Sequence, residues 1–151
     1  MFDGEYLYDK IRKGKKYNYY GNLRFEGEYL YDKFLKGKEY VNNRLEYEGE
    51  YLYGRKWNGK GYDENGNIIY ELINGTGKGK EYDYKGNLIF EGEYLNGQRN
   101  GKGKEYDIED NLSSKGDYLN GNKWNGNGYD NNNNIVYSLK DGKGLIREYN
   151  Y

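Results

Sequence analysis

The chain has 151 residues, 24 Lys plus Arg against 25 Asp plus Glu, a net charge of −1, and no cysteine, histidine or proline. Balanced charge gives no overall field for nucleic acid or an anionic membrane. The missing cysteine and histidine exclude disulfides and cysteine-based zinc sites and remove the commonest general base.

Hydrophobic residues make up 34%, a level that with 32% charged residues usually means disorder. The 22 tyrosines point the other way, because a ring with a polar tip suits a sheet that stays half wet. No apolar run approaches the roughly 18 residues of a spanning helix. Residues 1–16 lack the basic-then-apolar layout of a signal peptide, so cytoplasmic residence is the expectation.

Read in order, the chain is a single array, 1–151, of seven units at 2–22, 23–44, 45–66, 67–87, 88–111, 112–133 and 134–151. A period in the low twenties implies stacked units, each touching mainly its neighbours. Each unit has two strand-like halves. Gly4, Gly27, Gly49, Gly92 and Gly116 anchor the first half and are followed two residues later by Tyr6, Tyr29, Tyr51, Tyr94 and Tyr118. Units four and seven place Tyr70 with Leu72 and Tyr137 with Leu139 there instead. The second half always ends in tyrosine: Tyr17, Tyr40, Tyr62, Tyr82, Tyr106, Tyr129 and Tyr149. Lys56-Trp57-Asn58-Gly59 recurs as Lys123-Trp124-Asn125-Gly126, so units two to four look duplicated as units five to seven.

Glycine at short intervals disfavours helix by about 1 kcal/mol each, and alternation with period two favours strand. In unit five Leu88, Phe90, Gly92 and Tyr94 share one face, and Ile89, Glu91, Glu93 and Leu95 the other. Asn- and Gly-rich boundaries such as 63–67, 107–111 and 130–134 supply turns. First strands are acidic and second strands basic. One register sets Glu93 opposite Lys102, Glu91 opposite Lys104, Ile89 opposite Tyr106, and Gly92 opposite Gly103 beside the ring of Tyr94. The expected fold is all-β: an elongated, twisted, single-layer antiparallel meander of about seven tandem hairpins, on the order of 65 Å long.

Phe90-x-Gly92-x-Tyr94 with Gly101-Lys102-Gly103, Phe25-x-Gly27-x-Tyr29 and Tyr47-x-Gly49-x-Tyr51 resemble the MORN (membrane occupation and recognition nexus) repeat. The likeness runs from Phe2 to Tyr149. It departs where tyrosine replaces the family's frequent tryptophan and where units four and seven lack the first-half glycine. The resemblance implies hairpin sheets used in protein contacts, dimerisation and scaffolding, with lipid binding proposed and some bacterial relatives described as antitoxins. On that comparison Gly27, Tyr29, Gly49, Tyr51, Gly92, Tyr94, Gly103 and Tyr106 are the structural repeat positions.

The lysine ladder reads as cross-strand pairing with the glutamate ladder, with a lipid headgroup as the alternative; the only basic run is at 10–16. Ile11, Phe34, Leu35, Trp57 and Trp124 are expected in the loops inside the hairpins. They read either as local packing or as exposed anchors, and Trp57, Trp124, Phe34 and Leu35 are the candidate interaction residues. Turns such as 63–67 lack the glutamate and flanking helices of a calcium loop. The stretch 75–80 lacks the Ser or Thr after lysine of a phosphate loop. Thr76, Ser113, Ser114 and Ser138 have no histidine to activate them, and the carboxylates lie in open ladders, so no catalytic, cofactor or metal site is expected.

The reading is a non-enzymatic scaffold that binds a protein partner or itself, with edge strands at 2–8 and 146–151 open to pairing. Nucleic acid and a small-molecule substrate are not expected. The alternatives are peripheral binding to anionic membrane lipid, antitoxin-like partner binding, and carbohydrate binding. The last follows from a likeness of the Tyr/Trp-rich units to cell-wall-binding and YD-repeat arrays.

Overall fold

Fourteen strands form one antiparallel sheet in strict chain order in the computed structural model, which describes residues 1–8 and 10–146. They make seven hairpins: β1 (Phe2–Leu7) with β2 (Lys10–Tyr17), β3 (Leu23–Leu30) with β4 (Lys33–Val41), β5 (Arg44–Leu52) with β6 (Arg55–Tyr62), β7 (Ile68–Ile73) with β8 (Thr76–Tyr82), β9 (Leu88–Leu95) with β10 (Gln98–Tyr106), β11 (Leu112–Leu119) with β12 (Asn122–Tyr129), and β13 (Ile135–Lys140) with β14 (Lys143–Ile146). There is no helix among the described residues. The tyrosine expected at 149, and the C-terminal edge strand from 147 onward, lie outside the described residues.

Every hairpin turns in two residues, tighter than the sequence suggests. From the second hairpin on, both central residues take the left-handed conformation of a type I′ turn, as in Asn74 (φ 52°) with Gly75 (φ 70°) and Asn96 (φ 52°) with Gly97 (φ 71°). The residues expected in loops therefore lie in strands: Ile11 in β2, Phe34 and Leu35 in β4, Trp57 in β6, Trp124 in β12. Of the connections between hairpins, β4 to β5 is a further two-residue turn, Asn42-Asn43, and β2 to β3 is organised by the Asn18 side chain; the others use Asp carboxylates. Asp63 Oδ1, Asp107 Oδ1 and Asp130 Oδ1 each accept from backbone N–H groups two and four residues on.

Two bulges recur in the sheet. Inside a hairpin, the second strand carries one extra residue near the turn: Arg12, Leu35, Trp57 and Trp124 each lie between residues that face consecutive positions on the partner strand. Between hairpins, the first strand carries the extra residue: Arg24, Glu46, Ile69, Ile89, Ser113 and Val136. In unit five Gly92 pairs with Gly103 and Glu91 with Lys104, as expected. Glu93 does not pair with Lys102, because the register shifts there and the Glu93 carboxylate accepts the Lys102 N–H at 2.8 Å. The paired rows of β9 and β10 end at Phe90 and Glu105, and Ile89 is the extra residue against β8.

Glycine pairs form a seam across the strands. It runs Gly4, Gly14, Gly27, Gly37, Gly49, Gly59 over β1–β6, and Gly79, Gly92, Gly103, Gly116, Gly126 over β8–β12. Leu72 breaks it between the blocks, pairing with Gly59 on one side and Gly77 on the other. One face of the seam is covered by rings. The ring over the Gly92–Gly103 pair is Phe90, not Tyr94: a Cβ on either glycine would come within 2.8 Å of Phe90. Tyr94 instead lies over Gly79. Phe25 and Tyr47 repeat the arrangement over Gly37 and Gly59, and Phe25, Tyr47 and Phe90 are fully buried. Phe25 and Tyr47, with Tyr29, Tyr51, Tyr70 and Leu72, form the main core cluster, where Phe34 stacks on Phe25 at 3.9 Å between centroids; Phe90 packs edge-on against Tyr94 and Tyr118.

The ladder is coiled. Arg24 Nη1 donates to Asp83 O at 2.6 Å and Asn18 Nδ2 to Tyr84 O at 3.4 Å. On a flat sheet those two turns would stand six strand spacings, about 29 Å, apart. The coil tightens at β7 and β8, which share only two paired rows, Leu72 with Gly77 and Ile73 with Thr76.

Candidate interaction surface

The face of the seam away from the rings carries the charges. Lys15, Glu26, Lys38, Glu48 and Lys60 form one wall, alternating in sign from strand to strand; Lys13, Glu28, Lys36 and Glu50 form the other. Between the walls the glycine backbone is bare. An open trough of about 350 Å³ lies over Gly14, Gly27, Gly37 and Gly49. A second, of about 980 Å³, lies over Gly79, Gly92, Gly103, Gly116 and Gly126. The ion pairs along the first are long and exposed, 3.9 Å for Lys15–Glu26 and Lys36–Glu50 and 4.0 Å for Lys38–Glu48. Such pairs contribute little to stability and leave the groups available. In the second trough the alternation fails: Lys104 faces Lys115, and Lys115 faces Asn127 on its other side.

The ring face holds a separate set of charges that is part of the core. Extra residue Glu46, 4% exposed, accepts from Lys56 Nζ at 2.6 Å and from the Tyr70 hydroxyl. Lys56 also meets Glu39 at 3.3 Å and donates to Lys80 O at 3.5 Å across the splayed β7. Burial pushes the Glu46 carboxyl up, opposed by Lys56. Burial alone would lower Lys56, but Glu39 and Glu46 outweigh it and hold the ammonium protonated. A second chain runs Glu81, Arg99, Glu105, Lys123, with the Arg99 guanidinium clamped by Glu81 and Glu105 at 2.6 and 2.9 Å. Arg99 sits 4.0 Å over the Phe90 ring. Its hydrogen bond and charge hold the Glu81 carboxyl below its ordinary range against the burial that would raise it. Sequence reasoning missed the first network because Glu46 reaches the ring face only through a bulge.

The candidate interaction residues separate. Phe34 is packed into the core. Leu35, Trp57 and Trp124 come to one equivalent place, the bulge inside the hairpin. There the Trp57 and Trp124 carbonyls accept the N–H of Gly75 and Gly142, the turn glycines of the following hairpins, both at 2.8 Å. The Trp57 ring lies against Gly75 and Gly97, and the Trp124 ring against Gly142. Trp57 is thus half-buried as a staple between hairpins, while Trp124 and Leu35 keep 37% and 39% of their surface exposed. Among the repeat positions, Tyr29 and Tyr51 are buried. Half-buried Tyr94 and Tyr106 donate to Glu81 at 2.6 Å and Glu91 at 2.7 Å. Gly27 and Gly49 belong to the first seam block, Gly92 and Gly103 to the second.

Among the described residues no helix is long and apolar enough to cross a membrane, and no group of three or more acidic side chains is placed to hold a metal ion. No protein-family model and no curated protein matches the chain.

Proposed function

We propose that the chain is a MORN-type repeat array that works as a non-enzymatic, cytoplasmic scaffold, binding an extended stretch of partner protein along its charged face. The glycine seam carries this reading. Two long troughs, open along their length and floored by backbone, offer charged walls to a chain laid across the strands, with Lys and Glu alternating along the first. Side-chain recognition of an enclosed small molecule needs convergent walls instead.

Affinity capture from the native cell tests it, comparing the natural chain with one in which Lys36, Lys38, Glu48 and Glu50 are all replaced by serine. These groups are exposed and in weak pairs, so the variant should fold. A protein retained by the natural chain and lost from the variant supports the scaffold. Failure to retain any protein, or retention indifferent to the four changes, counts against it.

One observation favours a second reading, peripheral binding of an anionic lipid headgroup: Lys115 stands opposite Lys104 on one side and Asn127 on the other, with no acid facing it, while Lys104 pairs with Glu91 at 3.1 Å. Sedimentation with phosphatidylserine vesicles that is abolished by salt and by Lys115→Glu would support it. Sedimentation that survives either change would remove it.

A further inference from the structure

The seven hairpin turns do not carry equivalent residues. The first turn residue is Tyr8, Tyr31 and Tyr53 in the first three hairpins, then Asn74, Asn96, Asn120 and Asp141. All sit at φ between 49° and 53°. Asn and Asp adopt that left-handed conformation readily; tyrosine does so at a cost. Nothing in the fold compensates, because the three rings point into solvent, Tyr8 91%, Tyr31 76% and Tyr53 82% exposed. The preceding residues, Leu7, Leu30 and Leu52, are exposed as well.

Charge adds to this difference. The residues opposite these leucines are Lys10, Lys33 and Arg55; the corresponding residues are Thr76, Gln98 and Asn122 in the next three hairpins and Lys143 in the seventh, which has neither the leucine nor the tyrosine. Arg12, the extra residue of β2, adds another exposed cation, and Asp32 pairs with Lys10 at 3.6 Å. The first three hairpins thus share a Leu-Tyr-cation tip that the rest lack. This division cuts across the duplication of units two to four as five to seven, so it is not inherited from the copied block.

We propose that this comb of tips docks a proline-rich partner segment in the polyproline II conformation, carrying an acidic residue about every third position. Pitch supports the choice. Neighbouring tips stand two strand spacings apart, about 9.6 Å. A polyproline II helix repeats every three residues, about 9.3 Å, so successive turns present the same face to successive tips. Exposed tyrosines are suited to packing on proline rings, and Lys33, Arg55 and Arg12 meet the acids. A flat anionic bilayer fits less well, because the row just behind the tips, Glu5, Lys13, Glu28, Lys36 and Glu50, alternates in sign and adds no net positive charge.

This inference rests on the scaffold reading and names a second surface of it. Fluorescence anisotropy tests it, with labelled peptides of repeated Pro-Pro-Glu, Pro-Pro-Lys and Gly-Ser-Glu against the full chain and the triple variant Tyr8→Asn, Tyr31→Asn, Tyr53→Asn. The natural chain should bind Pro-Pro-Glu at least about tenfold more tightly than either other peptide. The triple variant should lose about tenfold or more in affinity while its melting temperature holds or rises, since Asn relieves the turn. A structural role for the tyrosines would instead lower the melting temperature.

Equal binding by the variant, equal binding of Gly-Ser-Glu, or no Pro-Pro-Glu binding at millimolar peptide overturns the comb. So does tyrosine-dependent binding to phosphatidylserine vesicles alone. A chain that ignores these peptides yet retains a protein through the seam loses the comb and keeps the scaffold; one that retains no protein loses the scaffold.

Discussion

Tyr29 is 6% exposed, its ring packs edge-on against Phe2, Phe25 and Phe34, and its hydroxyl has no hydrogen-bond partner. Burial raises its pKa to about 12. Removing an unsatisfied buried hydroxyl while keeping the ring should leave stability unchanged or raise it by up to about 1 kcal/mol, so Tyr29→Phe should show an equal or higher urea midpoint. Gly37→Ala is expected to do the reverse. Its Cβ would come 2.7 Å from Phe25 Cζ and 2.9 Å from Gly27 Cα, and neither the fully buried ring nor the backbone has room to move. A loss of roughly 1–3 kcal/mol, seen as a lower midpoint with unchanged slope, is the overpacking expected. The need for glycine was legible in the sequence from its fixed spacing before tyrosine. Which ring covers it was not, because Phe90 and Tyr94 share a face and only the register decides between them.

At the scale of the hairpin, the strand order and the Gly92–Gly103 and Glu91–Lys104 pairings were readable from opposed acidic and basic halves. The bulges were not. An extra residue leaves the period-two pattern intact on both sides and only exchanges the faces, so Trp57 and Leu35 read as loop when they are strand. The same bulge geometry carries Glu46 to the ring face and builds the cluster with Lys56. Replacing Lys56 by methionine leaves Glu46 with no cation at 2.6 Å, and at pH 7 should cost about 3–5 kcal/mol. The sign of its pH dependence follows from the carboxyl. A group whose folded pKa is raised above its ordinary value of about 4.3 loses stability as pH rises through that interval and regains it as pH falls. Without Lys56 the folded value rises further, so the deficit should shrink between about pH 7 and pH 5 in thermal melts. A deficit constant over that range would mean that Glu46 is not the group left unpaired.

Over the whole molecule, one sheet of hairpins was legible because every unit repeats the same signals. The coil was not, because it depends on contacts between units two and three apart, Arg24 with Asp83 and Asn18 with Tyr84, that no local pattern encodes. It also depends on β7 and β8, where the seam lacks its glycine and the hairpin splays. Coiling wraps the sheet so that the rings become a core although no second layer exists, and leaves the charged seam and the tips as the accessible surface. The absence of cysteine allows this to be measured directly. With spin labels on cysteines replacing exposed Tyr20 and Lys85, electron–electron distance spectroscopy should find a main distance below about 20 Å, since the two turns are in hydrogen-bond contact. A distance of about 29 Å or more, the span of six strands laid flat, would contradict the coiled sheet and the surface built on it.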